Sequence, residues 1–505
     1  MKHYITGQIL IVAVLTIIGK VGAFLRDVLL SQTFGAGLQT DAFFIANAIP
    51  GLVFGGVFAT ISLVFLPLYI RETSDDDDTQ NRFIKTAFFF YLGLAAGLSL
   101  LTIIFAAPLT AMIAPQATPE TKALATVLTR IMALGFVFTS WVGLQNAIQQ
   151  AHKAFIWPVA VPVYNHVAVI SGILIAAATG GSVAVVAIAA TAGWALQSPL
   201  QWMFARKYFK LRIGQKTGMQ GALIRKLLWL SIPVFISVSL DQINTILDLF
   251  LGAAFGEGAA SHLSYAFRLT ILIGGIFSLP IAFFVFPYLS DAMKISNIQQ
   301  TQRLLTRGIG LVLALNMPMM VYGYVQADAL VSLLFQRGEF DAQDTANTAA
   351  AFRLYVIGTL FMGLREVLNR VFMAEQNAKL LIVFSAVAFA VNLFSSIYFQ
   401  RTMGLPGIAL GTTLGAIIFV VLQVVYIRRY RSGFFTAQSL AISGICVAAC
   451  AAMLAVLPIF HRLVATSDEM QIIWDLAVLG SLYLGTLTSL TYLYAKLFGV
   501  KLWKL

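Results

Sequence analysis

Three ionisable side chains stand in a stretch that should hold none. The chain is almost wholly apolar from Tyr4 to Gly19 and again from Val28, yet Lys20, Arg26 and Asp27 lie between. An ionised group at bilayer depth costs roughly 2.5–3.5 kcal/mol even on the lenient insertion scale, so all three must face protein or water. At about 100° per residue Lys20 and Asp27 share a helix face, and Arg26 projects elsewhere. Two chemistries fit: a self-neutralised ion cluster, or a polar cavity that accepts an anionic ligand.

More charges fall inside apolar segments: Asp41 and Arg130 in the first half, and Asp241, Asp248, Arg268 and Arg353 in the second. Guanidinium forks match phosphate oxygens bidentately, so basic groups around a cavity suit a phosphorylated substrate. Lys20, Arg26 and Arg268 lead as its partners, with Asp27 and Asp41 beside them. Asp41 follows Thr40 at the entry of a span and also reads as a helix-start carboxylate. Arg130 and Arg353 are further cavity candidates for which a structural role competes. Asp248 shares a helix face with Asp241, and a buried carboxylate near Asn or Ser can bind sodium or carry a proton. Pairing with an arginine competes there too. Covalent chemistry finds no support: Gly-x-Ser-x-Gly, the phosphate-loop motif and His-Glu-x-x-His are absent, and the five histidines show no ligand spacing. The expectation is no enzyme and no cofactor, with sodium, protons or the membrane potential as candidate couplings.

The elements that position these groups are membrane spans. Of 505 residues 59% are hydrophobic and only 11% charged, whereas a soluble domain carries about 25% charged residues. The net charge of +12 sits in short loops, which is a topology signal and not a nucleic-acid patch. Cys446 and Cys450, four apart in one apolar segment, imply neither disulfide nor metal. Windows of about 20 apolar residues give about fourteen helices, with Pro50-Gly51 interrupting the second and Pro280 the eighth. Basic residues crowd the loops on the N-terminal side, so the positive-inside rule places both termini in the cytoplasm.

The chain also repeats itself. Phe34-Gly35-Ala36-Gly37 is answered by Phe255-Gly256-Glu257-Gly258, Pro67-Leu68-Tyr69 by Pro287-Tyr288-Leu289, Arg130 by Arg353, and Asn165 by Asn392. The offset is roughly 220 residues, so two six-span units run in the same direction about a pseudo-twofold along the membrane normal. The predicted fold is therefore an all-α polytopic membrane protein: an N-terminal lobe at 1–215, a C-terminal lobe at 216–432 and an appended helix pair at 433–505.

These residues resemble a known family. Gly19 to Asp27, Phe34-Gly35-Ala36-Gly37 and Thr40-Asp41-Ala42-Phe43-Phe44 look like the opening of the MurJ/MviN lipid II flippases, within the multidrug/oligosaccharidyl-lipid/polysaccharide exporter superfamily. Ser264-Tyr265-Ala266-Phe267-Arg268-Leu269 and Phe335-Gln336-Arg337-Gly338-Glu339-Phe340 resemble two further motifs of that family. The resemblance spans the whole chain and implies a two-lobed carrier. Its cargo would be undecaprenyl-pyrophosphate-linked disaccharide-pentapeptide, moved from the cytoplasmic to the periplasmic leaflet of the bacterial inner membrane, with membrane lipids and the cell-wall synthesis machinery as partners. Carried over by motif, its essential basic residues fall on Lys20, Arg26 and Arg268 and its acid on Asp41. A cation site proposed for some members falls near Asp248 and Asn392, with Ser396 where an acid is expected. The chain departs from the pattern in the second span, where Val53 to Ile61 lacks the usual arginine pair and glutamate. A paralogue exporting other lipid-linked saccharides is the second reading. A membrane-embedded polymerase or glycosyltransferase using Asp341 and Asp344 is the third, although those acids also suit the start of a helix.

Overall fold

The computed structural model describes residues 2–72, 77–208, 220–295, 297–375, 377–430 and 444–452, with 481, 483–485 and 488–489. Among them every element is helical, the solution a bilayer imposes on any chain that must satisfy its backbone internally without closing a barrel. Eight helices among the described residues are long and apolar enough to cross a membrane. The protein is a multi-pass membrane protein. The appended pair expected at 433–505 lies almost wholly outside the described residues.

The first repeat opens with α1 (Lys2–Phe34), about 50 Å long at 1.5 Å per residue and so longer than a hydrocarbon core. α2 (Leu38–Thr60) runs unbroken through Pro50, contrary to the expected interruption. The irregularity comes later, as a π-turn at Ile61–Phe65 leading into α3 (Leu66–Glu72). Pro67 has no N–H and its ring crowds the carbonyl four residues back, so the ladder widens just ahead of it. α4 (Asp77–Ile104) breaks at Phe105 and continues as α5 (Ala106–Ile113). α6 (Pro119–Ala133) starts under Thr118, whose hydroxyl accepts from the Thr121 N–H at 3.2 Å. It steps at Leu134 into α7 (Gly135–Ala151), and α8 (Ile156–Thr179) and α9 (Ala184–Ala205) complete the repeat.

The second repeat has the same order: α10 (Gly221–Gly252), α11 (Ala259–Lys294), α12 (Ile298–Val325) with its short continuation α13 (Ala327–Phe335), then α14 (Ala342–Ala374), α15 (Ala378–Met403) and α16 (Leu405–Tyr430). α11 is continuous through Pro280, so the second expected interruption is also absent. In a bilayer, neighbouring helices and local adjustment absorb the carbonyl a proline frees.

The chain forms two compact units. Residues 1–264 with 337–341 make the first; 265–336 with 342–505 make the second. Unit 1 therefore holds α1 to α10 and the first turns of α11, and within it α10 packs along α2. Its core gathers Phe65, Tyr69, Phe83, Tyr91 and Ile148. In unit 2, Leu289, Leu368, Phe372, Phe384 and Phe419 do the same. Matched hydrogen bonds mark the repeat. In unit 1 Thr191 Oγ1 donates to the Ile131 carbonyl at 3.1 Å and Gln201 Nε2 to Asn146 Oδ1 at 2.5 Å. In unit 2 Thr413 Oγ1 donates to the Leu354 carbonyl at 2.7 Å and Gln423 Nε2 to Asn369 Oδ1 at 2.8 Å.

Candidate functional site

On α1, Arg26 and Asp27 pair with each other. Arg26 Nε and Nη2 both donate to Asp27 Oδ1, at 3.0 and 2.8 Å. Neighbouring helix positions point about 100° apart, which is why the spacing sends Arg26 elsewhere; the long guanidinium arm sweeps back across that angle. Asp27 is buried, and Arg26 and Lys20 are half-buried. The cluster keeps one net positive charge, since Asp27 offsets one of two cations.

The three motifs expected near span ends converge in unit 1. The start of α2 is capped from a distance: Glu257 Oε1 accepts from the Leu38 N–H at 2.8 Å, and Thr40 Oγ1 accepts from the Gly37 N–H at 3.0 Å. The start of α11 is capped from α2. Asp41 Oδ2 accepts from the Gly258 N–H at 2.7 Å, and Oδ1 accepts from the Ser261 N–H at 2.7 Å and the Ser261 hydroxyl at 2.5 Å. A carboxylate facing the exposed N–H groups and positive end of a helix is well placed electrostatically. Asp41 is thus a helix-start carboxylate, for the helix of the other repeat. The third motif closes over them: the Glu339 N–H donates to the Gln32 carbonyl at 3.0 Å. Gly338 adopts φ +59°, and a Cβ there would strike the Gln32 carbonyl oxygen.

Sequence spacing did not mark Glu257 or Ser261. The signal was available in the repeat, since Glu257 stands opposite Ala36 and Ser261 opposite Thr40 when the two glycine motifs are aligned.

Of the remaining predicted residues, Arg130 and Asp248 belong to unit 1, and Arg268, Arg353 and Asn392 to unit 2. In unit 1 exposed Arg130 reaches the Ile103 carbonyl at 3.4 Å, beside the α4–α5 break. In unit 2 Arg353 pairs with Asp328 beside the α12–α13 break. The two equivalent arginines thus brace equivalent breaks. Asp248 is buried on α10 of unit 1. Arg268 is half-buried on α11 of unit 2, where its motif neighbours Tyr265 and Phe267 pack on Phe335 and Tyr355. Asn392, buried on α15, accepts at Oδ1 from Ser396 Oγ at 3.0 Å and Thr412 Oγ1 at 3.3 Å. The side chains in these contacts are neutral, with Ser396 where an acid was expected. Among the described residues no three of His, Cys, Asp and Glu gather as metal ligands.

The departing stretch of the second span lines a cavity of about 450 Å³ in unit 1. Val53, Gly55, Phe58, Phe136 and Trp194 make it mainly apolar; Thr139, Asn165, His166 and Gln197 add polar atoms.

Known proteins share this fold. The solved structure "Lipid II flippase MurJ, inward closed conformation" superposes with a TM-score of 0.81 at 21% identity, covering 97% of this chain and 100% of that one. An inward-facing multidrug resistance MATE family transporter of the MOP superfamily follows at 0.69 and 15%, covering 84% and 98%. In sequence, the "Lipid II flippase MurJ" of Burkholderia cenocepacia is 25% identical over 429 residues, 83% of each chain. The "Probable lipid II flippase MurJ" of Treponema pallidum is 23% identical over 433 residues, 83% of this chain and 81% of its own. The family profile described as "Lipid II flippase MurJ" matches residues 30–474. A profile that takes in both glycine motifs, the Arg337–Phe340 element and all the helices between them decides the matter: the chain belongs to the lipid II flippase MurJ family.

Proposed function

We propose that this protein carries a polyprenyl-pyrophosphate-linked saccharide, with lipid II the foremost cargo, from the cytoplasmic to the periplasmic leaflet of the bacterial inner membrane. It does so by alternating access, without making or breaking covalent bonds. Family membership supports the substrate class. The observation that carries the mechanism is the pair of exchanged carboxylates. Asp41 and Glu257 hold two helix starts together through short, charge-assisted hydrogen bonds, each contributing roughly 1.5–3 kcal/mol. Such contacts are strong enough to define one state, and a cargo that outcompetes them can release it. Lys20, Arg26 and Arg268 are the cations assigned to the pyrophosphate, with Asp27 holding Arg26 in place. Both termini lie in the cytoplasm in this reading, and cell-wall synthesis enzymes are its natural partners.

One observation favours a second cargo. The stretch where the family's usual pattern has arginines lines an apolar cavity here, so the headgroup meets fewer cations than lipid II would elsewhere. The test is growth of bacteria depleted of their own lipid II flippase. Rescue by this chain supports lipid II. Failure to rescue despite normal expression and membrane insertion transfers the assignment to another lipid-linked saccharide.

A further inference from the structure

The two repeats bury different chemistry at equivalent places. In unit 1, Trp141 and Asn146 of α7 contact Trp202 and Gln201 of α9. At about 100° per residue Gln145 and Gln149 fall between those two directions, so both face α9. Each is fully buried, and all four of their amide atoms lack a hydrogen-bond partner among the described residues; so does Gln201 Oε1. The aligned amide pairs of the two repeats identify the counterparts. Leu368 precedes Asn369 as Gln145 precedes Asn146, and Phe372 and Phe419 stand where unit 1 has Gln149 and Gln197. All three belong to the apolar core of unit 2. The fold therefore does not require amides at these positions.

Native interiors satisfy buried amides, because leaving several bare is severely destabilising. The orphans here include both N–H donors and carbonyl acceptors. A cation would satisfy only the oxygens and an anion only the N–H groups, whereas water satisfies both. The seam is closed to solvent, and Gln197, one turn before Gln201, lines the 450 Å³ cavity and donates to the Val161 carbonyl at 3.1 Å. We propose that unit 1 binds a short file of water molecules between α7 and α9, held by Gln145, Gln149 and Gln201 and reached from the cavity past Gln197. Water re-pairs at little cost, so this seam can adjust where its counterpart in unit 2 is filled by Leu368, Phe372 and Phe419.

X-ray radiolytic footprinting in ¹⁸O-labelled water tests this on the full chain in lipid nanodiscs, because bound water oxidises side chains that bulk solvent does not reach. After correction for intrinsic reactivity, the α7 peptide spanning 144–149 is expected to label about ten-fold faster than the α14 peptide spanning 367–372, which is as buried apart from Arg370. A combined Gln145→Leu and Gln149→Phe variant, which installs the second repeat's residues, should bring the α7 rate down to that of α14. Equal rates in the native protein would overturn the proposal whether or not the variant folds, as would a folded variant that keeps the fast labelling.

Discussion

Asp41 spends both carboxylate oxygens on three donors at the start of α11. Asp41→Ala is therefore expected to destabilise the protein by about 4 kcal/mol or more, read as a lowered unfolding midpoint in detergent. Asp41→Asn keeps one acceptor oxygen and should lose roughly half of that. Glu257 makes a single exposed contact, and Glu257→Gln should cost under about 1 kcal/mol. An effect of Asp41→Asn as large as that of Asp41→Ala would mean that the charge, not the acceptor geometry, does the holding. The neutral set around Asn392 gives a second expectation. Exchanging potassium for sodium should leave the native unfolding midpoint unchanged. Ser396→Asp supplies the missing charge and should make the midpoint rise with sodium, by about 2.7 kcal/mol of stabilisation at a hundredfold excess over Kd. At this scale the sequence named the charged residues but not their partners. Arg26 turns back to its own neighbour because the side chain is long, a freedom that helical spacing leaves out. Asp41 finds donors 217 residues away, beyond any local pattern.

Helix order and the repeat were legible because the hydrophobic windows and the glycine motifs are set by the bilayer and by tight turns. Breaks within helices were harder. The α4–α5 and α12–α13 steps fall at Phe105 and Gln326, residues with no breaking tendency of their own. The prolines that looked disruptive, Pro50 and Pro280, lie inside continuous helix. Pro108 cannot donate to the Ile104 carbonyl, which gives the first break a local cause; no proline follows Gln326 within α13, and Arg353 on the next span pairs with Asp328 beside the second. Replacing Arg353 with Met should accordingly loosen α13 without touching the α15–α16 pair, seen as faster amide exchange confined to 327–335. The Arg337–Asp341 turn combines a local cause, the positive φ of Gly338, with a distant one on α1. Left-handed backbone costs a residue with a Cβ roughly 1–2 kcal/mol, and the carbonyl of Gln32 leaves no space beside Gly338. Gly338→Ala should exceed that figure in a stability measurement. A neutral result would show that the turn is not held against α1.

For the molecule as a whole, the positive-inside reading makes a sharp topological statement. A single cysteine at Gln343, exposed in the first turn of α14, should react with an impermeant thiol reagent from the periplasmic side. One at Gly214 should react only after permeabilisation. The native thiols of Cys446 and Cys450 are buried, so background labelling should be low. Reaction of both positions from one side would remove the parallel arrangement of the repeats. The exchanged carboxylates carry a consequence for descent. Two identical ancestral halves would each have supplied the same side chains, but here Glu257 faces Ala36 and Asp41 faces His262 in the aligned motifs. Each copy carries an acid that its twin lacks. A gene encoding the first half twice in tandem would bring two aspartates and no glutamate to this end, and one encoding the second half twice would bring the reverse. At this end the two copies are therefore complementary parts, each supplying the carboxylate that caps a helix of the other.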